Sequence, residues 1–218
     1  MATSTVEDYI KQIYLEQIDS IDGFVTMGRV AISLGVVPGT ATTMVKSLAD
    51  SELVNYEPRV GVRLTEAGEE LAIQMLRRHR LIELFLVETL GLDWSEIHEE
   101  AEKLEHAISD RVLEQMDTLL GHPKVDPHGD PIPSESGNLS NELLMNLGNC
   151  ILNQPLNIAR ITDQSSEFLQ FVNKSGLMPG VELTVLKRES AADAITLHLS
   201  NGMSLVVGTL AGEKILVE

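Results

Sequence analysis

Residues 27 to 65 constrain the fold most, because two short helical segments joined by a Gly/Pro turn run straight into two short strands joined by a second turn. The first helical segment spans Met27 to about Leu34, and the turn is Gly35-Val36-Val37-Pro38-Gly39, with Pro38 and Gly39 as breakers. The second runs from about Gly39 to Ser51, with Val45, Leu48 and Leu53 facing inward. Leu53 to Glu57 and Val62 to Thr65 then read as strands around Pro58-Arg59-Val60-Gly61. Upstream, Val6, Tyr9, Ile10, Ile13, Tyr14 and Ile18 form one apolar stripe at helical period, interrupted at Asp19 to Gly23. Helix, helix-turn-helix and hairpin in this order predict a winged helix-turn-helix over residues 1–72.

Thr65 reads as the N-cap of a long helix reaching about Leu90, and Glu69 lies in its first turn. Gly91 to Ser95 interrupts the pattern, and a further helix is expected from about Glu96 to Leu120. Ile82, Leu84, Phe85, Leu86, Leu90, Ile108, Val112 and Met116 offer more apolar surface than two helices hide, which points to a homodimer. On the second helix Glu102, Glu105 and His106 stand at i, i+3 and i+4 and share a face, half of a divalent-metal site. His79 and Glu83 repeat the i, i+4 spacing, and His98 lies just upstream of the triad. Residues 121–137 form a Pro/Gly/His loop carrying Asp126 and His128, and residues 138–153 read as one more helix.

From Leu156 the texture changes to short alternating runs, Asn157–Ile161, Val181–Val185, Ala194–Leu199 and Ser204–Val207, with a short helix at Ser166–Asn173. These predict a small β-barrel. The expected organisation is mainly α with β: winged helix 1–72, helical metal-binding and dimerisation domain 73–153, and barrel 154–218.

Composition sets outer limits. With 43% hydrophobic residues and mean hydropathy of +0.04, the chain reads as an ordinary globular protein. No apolar run approaches the roughly 18 residues of a membrane span, and the first eight residues lack the basic and apolar regions of a signal peptide. The single Cys150 cannot form an intramolecular disulfide. A cytoplasmic protein with no membrane partner is expected. The net charge of −17 opposes DNA binding, which rests on Lys and Arg against phosphate. Many carboxylates fall where metal would sit, and bound cations would cancel several. A metallohydrolase would need an open coordination position and a positioned nucleophile, and no Walker loop, nucleophile elbow or dinucleotide fingerprint is present. The expectation is a regulator and not an enzyme.

The residues resemble the diphtheria-toxin-repressor-like, metal-dependent regulators, in their manganese-responsive branch, over essentially the whole chain. Glu7-Asp8-Tyr9-Ile10-Lys11-Gln12-Ile13-Tyr14 looks like the family's first helix. Arg78 to Glu83 and His98 to His106 match its metal-binding helices in spacing. His122-Pro123 through Pro133 looks like the loop of its longer members, and Gly176-Leu177-Met178-Pro179-Gly180 like the hinge of the FeoA-type, SH3-like domain. The resemblance implies a primary metal site of Asp8, Glu102, Glu105 and His106. It implies a second site of His79, Glu83 and His98, or, as in long manganese members, of Glu83, Asp126, His128 and Asp163. Iron-type members carry Cys where this chain has Glu102 and Met where it has Asp8, so the donors here are harder and favour Mn²⁺, with Fe²⁺ the alternative. Lys11 stands where some manganese sensors have an acidic residue, and the loop often carries Cys where this chain has Asp126.

The implied partner is double-stranded operator DNA, with the metal as corepressor. Val37 and Gly39 at the start of the recognition helix, and Thr40, Thr42, Thr43 and Lys46 along it, are the outward candidates. Arg59 and Arg63 in the wing would touch backbone phosphate.

Overall fold

The computed structural model describes residues 3–18, 20–134, 136–139 and 143–218, which form two compact units. The first holds Met1–His79 with Pro133–Asn138; the second holds Arg80–Ile132 with Leu139–Glu218.

In the first unit, helix α1 (Ser4–Ile18) buries Tyr9, Ile10 and Ile13 of the expected stripe, with Val6 and Tyr14 partly buried and Ile18 exposed, and α2 (Met27–Ser33) and α3 (Pro38–Asp50) make the helix-turn-helix. Asp19, in the expected break, lies outside the described residues. Thr26 caps α2 by accepting from the Arg29 N–H at 3.4 Å, while α3 opens with Pro38 at its first turn, where a missing N–H costs nothing. Strands β1 (Val54–Glu57) and β2 (Gly61–Leu64) pair antiparallel with Val54 opposite Leu64, and Val25 bridges Val62 as a third edge. A Cβ at position 61 would come within 2.4 Å of the Val25 carbonyl oxygen, so this approach requires glycine. Ile10, Ile13, Val30, Ala41, Val45, Leu48 and Val62 form the core. The Gln17 side chain staples α1 to the wing: its Oε1 accepts from the Leu64 N–H at 2.9 Å, and its Nε2 donates to Glu69 at 3.1 Å. Helix α4 (Glu66–Glu88) starts after Thr65, whose hydroxyl oxygen accepts from the Gly68 N–H at 3.2 Å.

In the second unit, the helix expected over Glu96 to Leu120 is two helices, α5 (His98–Glu105) and α6 (Asp110–Leu119). Ser109 adopts extended backbone and becomes the N-cap residue of α6, a role serine favours over helix interior. Ile82, Leu86, Ile97 and Ala101 form a core of their own, with Ile108 and Met116 packed against it. Much of the stripe expected to seek a second copy is therefore consumed inside the chain, whereas its Leu90 and Val112 stay exposed, as does Leu119 outside it.

The C-terminal part is a six-stranded antiparallel sheet in the order β3 (Met145–Asn146), β8 (Ile215–Val217), β4 (Pro155–Ile161), β5 (Glu182–Glu189), β6 (Ala194–Leu199), β7 (Ser204–Gly208). Helices α7 (Ser166–Ser175) and α8 (Thr209–Glu213) connect strands. Ile158, Ile161, Leu183, Val185, Ile195, Leu197 and Val217 fill the interior, joined by Leu169 and Val172 of α7 and by Trp94. The helix expected at 138–153 is absent among the described residues; Ser140, Asn141 and Glu142 lie outside them. Leu147 is instead fully buried, its N–H shared between the carbonyls of Gly212 and Ile215, and β3 edges the sheet. Pairing with β8, far along the chain, overrides a local helical period.

Candidate metal centre and nucleic-acid interface

The 126–130 loop is shaped by Asp126. Its Oδ1 accepts from the N–H groups of His128 (2.8 Å) and Asp130 (2.9 Å), while its own N–H donates to the Asp130 carbonyl at 2.9 Å. This side-chain turn is what Asp followed by Pro and Gly favours. The loop docks on β4, where the Ile161 N–H donates to the His128 carbonyl at 2.8 Å. His128 is thereby brought below Glu83 of α4.

Glu83, Asp126 and His128 are all buried, and each offers one ligand atom within 4.8 Å of the others. His128 Nδ1 lies 3.8 Å from Glu83 Oε2 and 3.9 Å from Asp126 Oδ2, too far for hydrogen bonds. Neither Asp126 Oδ2 nor His128 Nδ1 has a hydrogen-bond partner among the described residues. On the other side of the ring, Nε2 lies 3.2 Å from the Trp94 carbonyl, which can only accept. That contact places the proton on Nε2 and turns the Nδ1 lone pair toward the two carboxylates, the arrangement of a metal-ligating imidazole held by a carbonyl behind it. The Trp94 ring stacks on His128 with centroids 5.4 Å apart. Asp126 Oδ2 and His128 Nδ1, converging beside the second carboxylate, Glu83, fit a hard divalent cation.

Charge around the trio is managed by Arg80, 3.8 Å from Asp126 and 3.9 Å from Asp130, and by Arg160, 3.5 Å from Asp130. Burial lowers the His128 pKa, but the facing carboxylates of Asp126 and Glu83 outweigh it and leave the imidazole more basic than usual. Burial, with the neighbouring Asp126 charge, pushes the Asp130 carboxyl up despite Arg80 and Arg160. Sequence reading missed Trp94, Arg80 and Asp130. Only the turn chemistry of Asp126 to Asp130 was available locally, since the Trp94 partner lies 34 positions from His128.

The other candidate ligands are distributed as follows. His98 sets Nδ1 3.3 Å from Glu83 Oε1 and Nε2 3.7 Å from Glu102 Oε1, with a side chain 56% exposed. Glu105 ends α5 fully buried, and His106 Nε2 is 3.6 Å from its Oε1. Asp8 is half-buried on α1 and His79 buried on α4, both in the first unit. Asp163 is occupied otherwise than in a trio ligand's role. Its Oδ2 pairs with Lys214 Nζ at 2.6 Å, its Oδ1 accepts from the Ser165 N–H at 2.9 Å, and no candidate ligand group among the described residues includes it.

In the first unit, Val37, Gly39, Thr40, Thr43 and Lys46 lie exposed along α3 and Thr42 is half-buried. Arg59 sits at the wing tip with φ of +71°, and the Arg63 guanidinium lies 4.9 Å over the Phe24 ring. Among the described residues no helix is long and apolar enough to cross a membrane.

A winged helix, followed by a helix and a loop that together form a buried carboxylate–imidazole centre, defines a metal-responsive DNA-binding regulator. The profile for the iron dependent repressor N-terminal DNA binding domain matches residues 1–62, that for its metal binding and dimerisation domain residues 65–134, and that for the FeoA domain residues 145–218. An uncharacterized HTH-type transcriptional regulator of Methanocaldococcus jannaschii is 43% identical over 118 residues, 54% of this chain and 94% of that protein. The iron-dependent repressor IdeR of Mycobacterium tuberculosis is 35% identical over 131 residues, 59% of this chain and 55% of IdeR, so the chain spans about half the length of that relative. A solved manganese-dependent transcriptional repressor in complex with manganese superposes with a TM-score of 0.86 at 37% identity, covering 97% of this chain and 98% of that one. The chain belongs to the family of iron-dependent-repressor-type, metal-dependent transcriptional repressors.

Proposed function

We propose that this chain represses transcription of metal-homeostasis genes in the cytoplasm as a homodimer on double-stranded operator DNA, with Mn²⁺ as its corepressor. The observation that carries the metal dependence is the buried trio Glu83, Asp126 and His128, two of whose donor atoms have no hydrogen-bond partner among the described residues. Its donors are oxygen and nitrogen only, and so are those of the set Asp8, Glu102, Glu105 and His106, assigned by family likeness to the primary site. Hard donors suit Mn²⁺. Fe²⁺ is the second reading, favoured by the likeness to IdeR. The same donors would hold Fe²⁺ more tightly, so cellular availability would decide between the two.

When bound, a divalent cation supplies the positive charge that lets clustered carboxylates stand together. Asp8 is carried by α1 of the winged helix, whereas Glu102, Glu105 and His106 are carried by α5 and its cap. Sharing one ion, these residues would fix the two recognition helices of a dimer about 34 Å apart, one turn of DNA. Linkage then requires DNA to tighten metal binding by the same factor.

The test is an anaerobic titration of Mn²⁺ and of Fe²⁺ against promoter DNA at fixed salt. Steep metal dependence, abolished by Glu105→Ala or His106→Ala, is the expected result. Equal DNA binding with metal and with chelator would sink the corepressor reading. Trp94, the one tryptophan, reports separately on the trio: paramagnetic Mn²⁺ beside His128 is expected to quench its fluorescence, and Asp126→Asn to remove that quenching phase.

A further inference from the structure

The outward face of α3 is poor in groups that read base edges by paired hydrogen bonds. Within Pro38–Asp50 there is no Arg, Asn or Gln, and its only basic residue is Lys46. Bidentate contacts to guanine by Arg, or to adenine by Asn or Gln, are therefore unavailable from this helix. Gly39, Thr40, Thr43, Met44 and Ser47 instead line an open groove of about 500 Å³. Val37, which precedes the helix, is 67% exposed.

The threonine hydroxyls are already engaged. Thr43 Oγ1 donates to the Gly39 carbonyl at 2.9 Å, and Thr42 Oγ1 donates to the Pro38 carbonyl at 2.8 Å. A hydroxyl has one hydrogen to give, so neither side chain can donate to a base while these bonds stand. The bonds also select one of the two rotamers open to helical threonine. What Thr43 offers outward is its γ-methyl and an acceptor lone pair.

Resting on the repressor reading above, we propose that this recognition helix reads thymine through its C5-methyl group, with Thr43 and Val37 as the specificity-determining contacts and Lys46 as a phosphate anchor. Thymine is the base that presents a methyl group in the major groove. The expected operator half-site is A·T-rich where α3 docks.

The experiment starts from DNA selected out of a random pool by the full chain at saturating Mn²⁺. Each thymine is then replaced singly by deoxyuridine, which removes the methyl group and keeps every hydrogen-bonding edge. At one or two positions per half-site affinity is expected to fall about fourfold, the worth of one buried carbon. Thr43→Val keeps a methyl and drops the hydroxyl, so it retains affinity and deoxyuridine sensitivity. Thr43→Ser drops the methyl, loses about fourfold, and becomes insensitive to deoxyuridine at its partner position. Both variants are checked by circular dichroism and thermal melting. Sequence-specific binding that is indifferent to deoxyuridine throughout, or that survives Thr43→Ser and not Thr43→Val, overturns this proposal and leaves the repressor reading intact. Failure to select any sequence overturns both.

Discussion

At the scale of single residues, Gly129 sets how closely the Asp126–Asp130 turn can approach β4. Its φ is +88°, and a Cβ there would lie 1.9 Å from the Ala159 carbonyl oxygen. An L side chain is strained in that backbone region before any contact is considered. Gly129→Ala is expected to destabilise the metal-free protein by roughly 2–4 kcal/mol, read by urea unfolding. It should also lift His128 away from Glu83 and weaken the Mn²⁺ quenching of Trp94. An unchanged urea midpoint would show that the turn can withdraw from the sheet without loss.

At the scale of elements, the turn before α7 is tied to the end of the barrel by the Asp163–Lys214 ion pair. Burial raises the Asp163 pKa, but the Lys214 ammonium and the Ser165 N–H and hydroxyl outweigh it, so the carboxyl sits below its ordinary value of 3.8. A depressed folded-state pKa stabilises the fold above the unfolded value and loses that contribution as pH falls through the folded one. Asp163→Asn should therefore cost at neutral pH and converge with the wild type in acid. The pair is partly exposed, so about 0.2–1 kcal/mol is expected, shrinking in high salt. Melting curves from pH 7 down to pH 2 would show it, and a gap persisting to the lowest pH would assign the loss to packing. The same side chain, which the family resemblance offered as a ligand in one of two alternative second sites, is thus held by Lys214, the residue that ends α8 just before β8.

At the scale of the whole molecule, part of the apolar surface left bare clusters on α6 and at the end of α4. Val112 and Leu119 of α6 and Leu90 after α4 are exposed by 45%, 67% and 57%. Leu119 also lines, with Leu84, Glu88, Thr89 and Leu120, an open cavity of about 650 Å³. A dimer that seats these residues would present two recognition helices at once, and the second contact then forms at high effective concentration. Leu119→Glu, at a surface position, is expected to give a folded monomer in sedimentation whose thermal midpoint no longer depends on protein concentration, and to lower DNA affinity by about 100-fold or more. A variant that remains dimeric would move the interface elsewhere.

The sequence by itself determined the elements whose signals are local. The stripe Val6 to Ile18, the breakers Pro38 and Gly39, the Thr65 cap and the alternating runs of β4 to β7 each lie within one or two turns of chain, and each element forms there. The spacing of Glu102, Glu105 and His106, proposed as ligands, belongs to the same local order, since it rests on helical period alone. Only the tertiary structure decided that Met145 and Asn146 edge a sheet, because β8 supplies the partner. It alone set Asp126 and His128 beneath Glu83 and gave Asp163 to Lys214, for those contacts join residues dozens of positions apart. Long-range pairing and burial choose among options that local propensity leaves nearly equal in energy.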